Sequence, residues 1–250
     1  MNQKILFDLD DTLVYCNKYF NLTLDRFADE LLTWFGAAGI TREAIAAKQT
    51  EIDIAGVQIV GFKSEHFPQS FVDTYRYFRD LTGRAPSVLE EERLWKLGIG
   101  VYDMEVEPYP LMDETLDSLI RNGNELHLYT GGESLIQYRK IEHMKLERYF
   151  EDRIYVRQHK NTDALEDILS KGRFDRANTW MIGNSIRTDV VPALQCGLNA
   201  IHLKQEAEWI YNVIPIDATP SGAMLTLSAL PQVPPAIHDY LNGISMKESG

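Results

Sequence analysis

The chain has 250 residues, of which 44% are hydrophobic and 25% are charged, a composition typical of a globular protein with a sizeable core. Its formal net charge of −12 at pH 7 argues against nucleic acid or an anionic membrane as the main partner. No segment approaches the ~20 apolar residues of a membrane-spanning helix, the N-terminus lacks the pattern of a signal peptide, and Cys16 and Cys196 are far apart without metal-ligand spacing. We therefore expect one or two domains, reduced thiols and a cytoplasmic location.

The first predicted strand ends in a cluster of carboxylates. Residues 5–7 form a short apolar run that suits a strand buried on both faces, and Asp8, Asp10 and Asp11 follow at once. Carboxylates this close repel each other unless a cation lies near them, and Mg²⁺ is the hard cation that oxygen ligands favour. The carboxyl end of a strand is where open α/β sheets form their ligand crevice. An acidic loop after a core strand is the alternative interpretation of this stretch taken alone.

Residues 15–102 show no β-α-β pattern and predict an all-helical insert. Apolar residues recur at three- and four-residue spacing in the first predicted helix, and Thr41 is placed to cap the second. The predicted helices cover residues 20–35, 41 to about 50 or beyond, 70–82 and 87 to about 101, with a less periodic stretch over 53–68. Pro108 and Pro110 then mark the return to the core.

From residue 111 the chain alternates helix and strand, the pattern of a doubly wound parallel sheet. The predicted strands cover residues 125–130, 153–157, 179–184 and 199–203. The predicted helices between them cover residues 111–122 and 134–145, and others begin near 162 and near 188 or 189; a short core element over 225–230 and a closing helix over 237–241 follow. We therefore predict an α/β protein whose core, residues 1–14 and 103–250, carries an inserted helical domain of residues 15–102.

Three further polar signals follow predicted strands, where a sheet crevice would gather them. Thr130 and Gly131 can hold a phosphate with a hydroxyl and backbone N–H groups, although a plain strand-to-helix turn has the same sequence. Lys160 could neutralise a phosphoryl oxygen, although most lysines in such a position are solvated. Asp189 could give the metal a third carboxylate or serve as a first-turn acid of the next helix.

As a set, these residues resemble the four motifs of the haloacid dehalogenase-like (HAD) superfamily, in the order that the family uses. The resemblance covers residues 4–14 and about 103–204, and the insert stands where that family has a helical type 1 cap. It implies a HAD-like Rossmannoid core, bound Mg²⁺ and a phosphatase that forms an aspartyl-phosphate. The implied roles are nucleophile for Asp8, general acid/base for Asp10, phosphate binding for Thr130 and Gly131, stabilising cation for Lys160, and metal binding for Asp8, Asp10, Asp189 and Asn184.

Asn184 departs from the family pattern, because many members have an acidic residue there. An amide oxygen can still coordinate Mg²⁺ or hold its water, but without a charge. Asp11 is expected only to accept hydrogen bonds from local backbone donors.

Alternative functions remain within and outside the superfamily. The dehalogenases of the family use neither a second aspartate at the position of Asp10 nor Mg²⁺, so Asp10 favours phosphate ester hydrolysis over carbon–halogen cleavage. A phosphomutase shares all four motifs, and a catalytically silent binding module is the alternative from another class.

The substrate is expected to be a small phosphorylated metabolite such as a nucleotide, a sugar phosphate or phosphoglycolate, with no nucleic-acid or membrane partner. The insert should present side chains to the leaving group. The candidates mix aromatic and cationic groups near an irregular stretch, with packing inside the insert as the alternative role; they are Phe62, Lys63, His66, Phe67 and Tyr75.

Overall fold

The computed structural model describes residues 2–243, which divide into two compact units. One unit comprises the described residues up to Asn17 together with those from Val106 onward, and the other spans Lys18–Glu105. These limits fall a few residues beyond the predicted ones, which follow residues 14 and 102. Within residues 2–243, no helix is both long enough and apolar enough to cross a membrane.

A parallel sheet forms the centre of the first unit. Its strands are β1 (Lys4–Phe7), β2 (Glu125–Gly131), β3 (Ile154–Arg157), β4 (Thr179–Gly183), β5 (Asn199–Leu203) and β6 (Met224–Leu227). They lie in the order β3-β2-β1-β4-β5-β6, and every neighbouring pair is parallel. The chain therefore extends the sheet first to one side of β1 and then to the other. Such a reversal opens a crevice beyond the carboxyl ends of the strands, and the predicted α/β class is confirmed.

The helices follow the predicted alternation. They are α1 (Asn17–Phe35), α2 (Arg42–Val60), α3 (His66–Thr82), α4 (Val88–Ile99), α5 (Met112–Arg121), α6 (Ser134–His143), α7 (Glu147–Phe150), α8 (Thr162–Lys171), α9 (Val191–Gln195) and α10 (Val233–Leu241). The first four include most of the predicted insert, and the remaining six belong to the unit built around the sheet.

Strand β1 is buried from both sides because its side chains alternate. Ile5 and Phe7 belong to the apolar core that contains side chains of α5, α7 and α10, whereas Leu6 belongs to the core formed with α8 and α9. All three side chains are fully buried, and each such burial stabilises the fold by about 1.5–3 kcal/mol. Packing on both faces thereby fixes β1 at the centre of the sheet, and this determines where the residues after the strand lie.

The second unit packs four helices around an aromatic core. The rings of Phe27 and Phe71 stack at a centroid distance of 4.1 Å, and Phe67 lies 4.7 Å from Phe71. The hydroxyl of Thr41 accepts a hydrogen bond from the backbone of Ala44, which confirms the predicted cap of α2.

The predicted less periodic stretch over residues 53–68 is wrong for most of its length. Helix α2 continues to Val60, and α3 already begins at His66. The buried face of α2 carries Ile45, Gln49, Asp53 and Val57 at four-residue spacing. Two of these residues are polar, so the helical period of the buried face does not show as a period of apolar residues.

Tertiary contacts account for those two buried polar side chains. Gln49 donates a hydrogen bond to Ser70 at 3.1 Å, and Asp53 lies beside the ring of His66, whose Nε2 is 3.4 Å from the carboxylate. Both partners belong to α3. The predicted start of α3 at residue 70 is late, because the helix begins at His66 and includes Pro68 in its first turn, where a proline costs no intrahelical hydrogen bond.

The helix predicted to begin at residue 188 or 189 starts earlier. The hydroxyl of Ser185 accepts from the backbone of Thr188 at 3.1 Å, and a π-helical turn over Ile186–Val190 leads into α9. Pro192 lies in the first turn of α9, as the sequence required.

Substitution of Gly98 tests whether α3 and α4 approach each other closely. A Cβ atom at this position would lie 2.6 Å from the Cα atom of Pro68, and backbone cannot move aside as a flexible side chain can. We expect Gly98→Ala to destabilise the protein by about 1–3 kcal/mol, the usual cost of overpacking. The midpoint of urea unfolding, followed by circular dichroism, measures this change.

Gly36 provides the matched control, because a Cβ atom there would meet no atom within 4 Å. Gly36→Ala should leave the midpoint unchanged or raise it slightly, since alanine lowers the entropy of the unfolded chain. Equal midpoints for the two variants would contradict the tight contact at Gly98.

Candidate active site

A tight turn after β1 places the first carboxylates. The backbone N–H of Asp8 donates to the carbonyl of Ile182 in β4 at 2.9 Å, so Asp8 is held at the carboxyl end of the sheet. The chain then turns back, and the N–H of Leu13 donates to the carbonyl of Leu9 at 2.9 Å. Asp11 adopts the left-handed conformation with φ of 55°, which aspartate tolerates better than most residues.

Lys160 joins two carboxylates that are far apart in sequence. Its Nζ lies 2.5 Å from Asp8 Oδ1 and 2.5 Å from Asp189 Oδ1. All three residues are buried, and the Lys160 ammonium also lies 4.9 Å from the ring centroid of Tyr129, within the range of a cation–π contact. The structure thus brings the predicted nucleophile, cation and metal ligand into direct contact.

Burial dominates the electrostatics of this cluster. It raises the pKa of Asp8 from its ordinary value of 3.8 to about 7, against the attraction of Lys160 and with a further contribution from the charge of Asp189. Burial alone would lower the pKa of Lys160, but the carboxylates of Asp189 and Asp8 outweigh it and raise that pKa. One ammonium therefore faces two carboxyl groups, and the cluster carries a net negative charge once Asp8 is ionised.

Thr12 connects Asp8 with Asn184. Its Oγ1 lies 3.1 Å from Asp8 Oδ2 and 3.4 Å from Asn184 Oδ1. Asn184 is 3% exposed at the end of β4. The amide oxygen of Asn184 is thereby directed toward the same group of polar atoms as Asp8, as the sequence-based metal assignment requires.

Asp10 is held by helix α6 rather than by Lys160. Its Oδ1 lies 2.7 Å from Lys140 Nζ, and its Oδ2 lies 3.0 Å from Gln137 Nε2. Burial would lower the pKa of Lys140, but the charge of Asp10 reverses the effect and raises it. Asp10 is therefore paired with a nearly buried ammonium of its own.

Gln137 also connects Asp10 with the predicted phosphate-binding residues. Its Nε2 lies 2.6 Å from Thr130 Oγ1 and 2.8 Å from the carbonyl oxygen of Gly131. A hydroxyl that accepts a hydrogen bond still has its proton to donate, so Thr130 keeps the capacity to bind an anion. Gly132 has a φ of +136°, a conformation that favours glycine, and its missing Cβ leaves room for Gln137.

Asp189 reaches the cluster because Gly183 has no side chain. A Cβ atom at Gly183 would lie 2.1 Å from Asp189 Oδ2, the oxygen that accepts from the backbone N–H of Ser185 at 2.9 Å. The other oxygen, Oδ1, lies 2.5 Å from Lys160 Nζ.

These donors fit a hard divalent cation. Asp8 and Asp189 supply carboxylate oxygens and Asn184 supplies an amide oxygen, and a divalent cation would offset the negative charge that the cluster carries when Asp8 is ionised. Among the residues that the structure describes, no three acidic, histidine or cysteine side chains converge as a metal site would require. A metal here would therefore depend on Asn184 and on backbone oxygen.

Asp11 has the local role that the sequence predicted. Its carboxylate accepts hydrogen bonds from the backbone of Cys16 at 3.0 Å and of Asn17 at 2.9 Å, and so satisfies donors at the start of α1. Burial raises its pKa to about 7, although these hydrogen bonds oppose the shift.

The candidate specificity residues of the helical unit differ in their surroundings. Lys63 is exposed and Phe62 is half-buried between α2 and α3. Phe67 and Tyr75 are buried in the aromatic core of that unit, and His66 packs over Gly56 with its Nε2 2.8 Å from the carbonyl of Asp53. The last three have packing partners within the unit, and a role in recognition stays a prediction for all five residues.

Three side chains beside the cluster were missed from the sequence: Gln137, Lys140 and Glu208, whose carboxylate accepts from Asn184 Nδ2 at 3.0 Å. The spacing of Gln137 and Lys140 places them on one face of α6, and that helix follows the predicted phosphate-binding turn, so helical periodicity could have indicated them. Glu208 lies in an irregular segment after β5, and no local pattern marks it.

Comparisons with known proteins agree on the fold. The family model described as haloacid dehalogenase-like hydrolase matches residues 4–197, whereas no curated protein matches the chain. A haloacid dehalogenase-like family hydrolase from Xanthomonas campestris shares 22% identity at a TM-score of 0.75, with 97% of each chain covered.

More distant structures cover nearly the whole chain as well. The putative HAD-hydrolase YfnB from Bacillus subtilis, solved bound to magnesium, shares 15% identity at a TM-score of 0.63, covering 98% of this chain and 99% of its own. A HAD phosphatase from Thermococcus onnurineus shares 18% identity at a TM-score of 0.55, covering 95% and 98%. Dehalogenases are also among the matching structures. The likeness shows the fold and leaves open whether the substrate carries a phosphate or a halogen.

The pKa of Asp8 predicts how stability changes with pH in metal-free protein. Because this pKa is higher in the folded chain than in the unfolded one, the folded state binds more protons between pH 3.8 and about 7, and stability falls as pH rises through that window. Asp8→Asn removes the effect. In EDTA at about pH 8 the variant should melt at least ~3 °C above the wild type, and the difference should shrink toward about pH 5.

Asp80→Asn is a suitable control, because it makes the same chemical change at a largely exposed side chain outside the buried cluster. Differential scanning calorimetry of the three proteins across the pH range makes the comparison. A wild-type protein that stays as stable as Asp8→Asn at high pH would contradict a raised pKa at Asp8.

Proposed function

The chain belongs to the haloacid dehalogenase-like hydrolase family, and on that premise we propose that it is a Mg²⁺-dependent phosphomonoester hydrolase acting on a small phosphorylated metabolite. The observation that carries this proposal is the separate environment of two carboxylates. Asp8 contacts Lys160, whereas Asp10 contacts Lys140 and Gln137. Two carboxylates in different environments can take different roles in one reaction.

Asp8 is the nucleophile in this proposal. One of its carboxylate oxygens attacks phosphorus, the bond between phosphorus and the ester oxygen breaks, and an aspartyl-phosphate forms. Lys160 lies 2.5 Å from Asp8 Oδ1 and can neutralise charge on the phosphoryl oxygens. Thr130 and the backbone of Gly131, at the end of β2, are the proposed phosphate-binding groups. Positioning and charge neutralisation provide most of the catalysis in phosphoryl transfer.

Mg²⁺ would be held by Asp8, Asp189 and the amide oxygen of Asn184. When bound, it orients the phosphate and offsets its charge. Asp10 is proposed as a ligand only through its backbone oxygen, because Lys140 and Gln137 engage both of its carboxylate oxygens.

Asp10 serves as the general acid and then as the general base. In the first step it gives a proton to the leaving alkoxide. In the second step it takes a proton from the water that attacks phosphorus, which releases phosphate and restores Asp8. Lys140, 2.7 Å from Asp10 Oδ1, positions the side chain of Asp10 in this proposal.

Haloacid dehalogenation is the competing function, since dehalogenases occur among the matching structures. In that chemistry the nucleophilic aspartate acts without a second aspartate at the position of Asp10. The elaborate support of Asp10 by a nearly buried lysine and a buried glutamine favours the phosphatase. The metabolite itself and the cytoplasmic location stay predictions.

Metal removal provides the first test. EDTA should abolish hydrolysis of p-nitrophenyl phosphate, and added Mg²⁺ should restore it, because the charge of the cluster is unbalanced without a further cation. Release of p-nitrophenol followed by absorbance measures both effects. Full activity in EDTA would contradict the metal assignment.

The same protein, assayed with a halogenated acid, distinguishes a phosphatase from a dehalogenase. Incubation with 2-chloropropionate should release no chloride. Chloride release in EDTA, together with no hydrolysis of the aryl phosphate, would identify a dehalogenase.

Because Asp8 and Asp10 have separate roles, their substitution by asparagine should affect the reaction differently. Asp8→Asn should lose turnover because an amide is not nucleophilic. Asp10→Asn should slow the overall reaction by about 10²–10⁴-fold, the usual contribution of a general acid/base catalyst. An aryl leaving group needs little protonation, so the first step should survive better than the second, and phosphoenzyme should accumulate.

Mass spectrometry after rapid acid quench measures this accumulation. Asp10→Asn should carry one phosphoryl group on the peptide that contains Asp8, and the Asp8→Asn variant should carry none. Phosphate trapped on another residue would contradict the assignment of Asp8.

A further inference from the structure

Asn184 donates to a carboxylate that lies outside the predicted site. Its Nδ2 is 3.0 Å from Glu208 Oε1 and 3.1 Å from Glu208 Oε2. Asn184 is the position where the chain departs from the acidic residue that many HAD family members have. The carboxylate of Glu208 is thus hydrogen-bonded to the amide at this position, and Asn184 and Thr12 connect it with Asp8.

Other donors fix Glu208 in place. Its Oε1 accepts from Asn212 Nδ2 at 2.7 Å and from the backbone N–H of Trp209 at 3.1 Å. Asn212 in turn accepts from the hydroxyl of Ser185 at 3.0 Å. The segment after β5 is thus tied to the start of the π-helical turn that carries Asp189.

The contact with Glu208 determines which way the amide of Asn184 faces. A carboxylate can only accept hydrogen bonds, so it binds the NH₂ group and leaves Oδ1 directed toward Thr12 and Asp8. Without this acceptor, the amide could rotate and direct its NH₂ group at Asp8. A donor would then stand where a cation needs an oxygen.

We propose that Glu208 is a positioning residue of the magnesium site, which orients the Asn184 oxygen toward Asp8 and supplies, through Asn184, the negative charge that this position lacks. The inference rests on the metal site of the proposed function. Partners of this kind, which bind a metal ligand rather than the metal, commonly change metal affinity by about 10–100-fold.

Isothermal titration calorimetry with Mg²⁺ alone tests the proposal without any substrate. Glu208→Gln keeps the size of the side chain but removes its charge, and it leaves Asn184 one accepting oxygen, which Asn212 and Trp209 share, in place of two. We expect its dissociation constant for Mg²⁺ to rise about 10-fold or more. Glu206→Gln, at an exposed position in the same segment, should stay within about twofold of the wild type, because surface charges act weakly.

Exchanging the two groups distinguishes orientation from a general loss of structure. In the double variant Asn184→Asp/Glu208→Gln, the amide donates to the carboxylate in the opposite direction, so the hydrogen bond and the charge are both restored. Its dissociation constant should return to within about threefold of the wild type. A double variant as weak as Glu208→Gln would overturn the proposal, as would a Glu208→Gln variant that binds Mg²⁺ normally.

Metal-free stability provides a second comparison, which remains available if Glu208→Gln does not fold. Asn184→Asp alone sets two carboxylates against each other and should melt several degrees below the double variant in EDTA, because like charges this close destabilise each other. Equal melting temperatures would overturn the proposed pairing. A folded wild-type protein that binds no Mg²⁺ would instead overturn the metal assignment of the proposed function itself.

Discussion

The ion pairs of Lys160 with Asp8 and Asp189 are the interaction on which the rest of the site depends. Two carboxylates and one ammonium lie buried with 2.5 Å between the charged atoms. Buried charges are stable only when they are paired and hydrogen-bonded. Removing Lys160 would leave two buried carboxylates with no cation, and removing Asp189 would take away a charge that adds to the effect of burial in raising the pKa of Asp8.

The sheet explains how these residues meet. Asp8 follows β1, Lys160 follows β3, and Asn184 follows β4. Because all the strands are parallel, their carboxyl ends lie at the same end of the sheet. The reversal of strand order at β1 leaves a crevice there. The apolar alternation of β1, with Ile5 and Phe7 on one face and Leu6 on the other, fixes the position from which Asp8 begins.

A second layer of polar residues surrounds this cluster and keeps its members distinct. Lys140 and Gln137 hold Asp10, whereas Glu208 holds Asn184. The carboxylate of Asp10 accepts from Lys140 and Gln137, and the NH₂ group of Asn184 donates to Glu208 rather than to Asp8. The layer therefore separates a carboxylate paired with α6 from one paired with Lys160, which is the distinction that an acid/base and a nucleophile require.

The sequence by itself determined the α/β class, most of the elements and the residues at the strand ends, because apolar periodicity and the positions of Asp8, Lys160 and Asp189 are local features. It misjudged α2, where buried Gln49 and Asp53 interrupt the hydropathy but find partners in α3. Only the tertiary structure showed that Lys140 pairs with Asp10 and Glu208 with Asn184. The reason is physical: a lysine or glutamate at the surface and one buried against a partner have the same local sequence, and the difference lies in contacts between segments far apart in the chain.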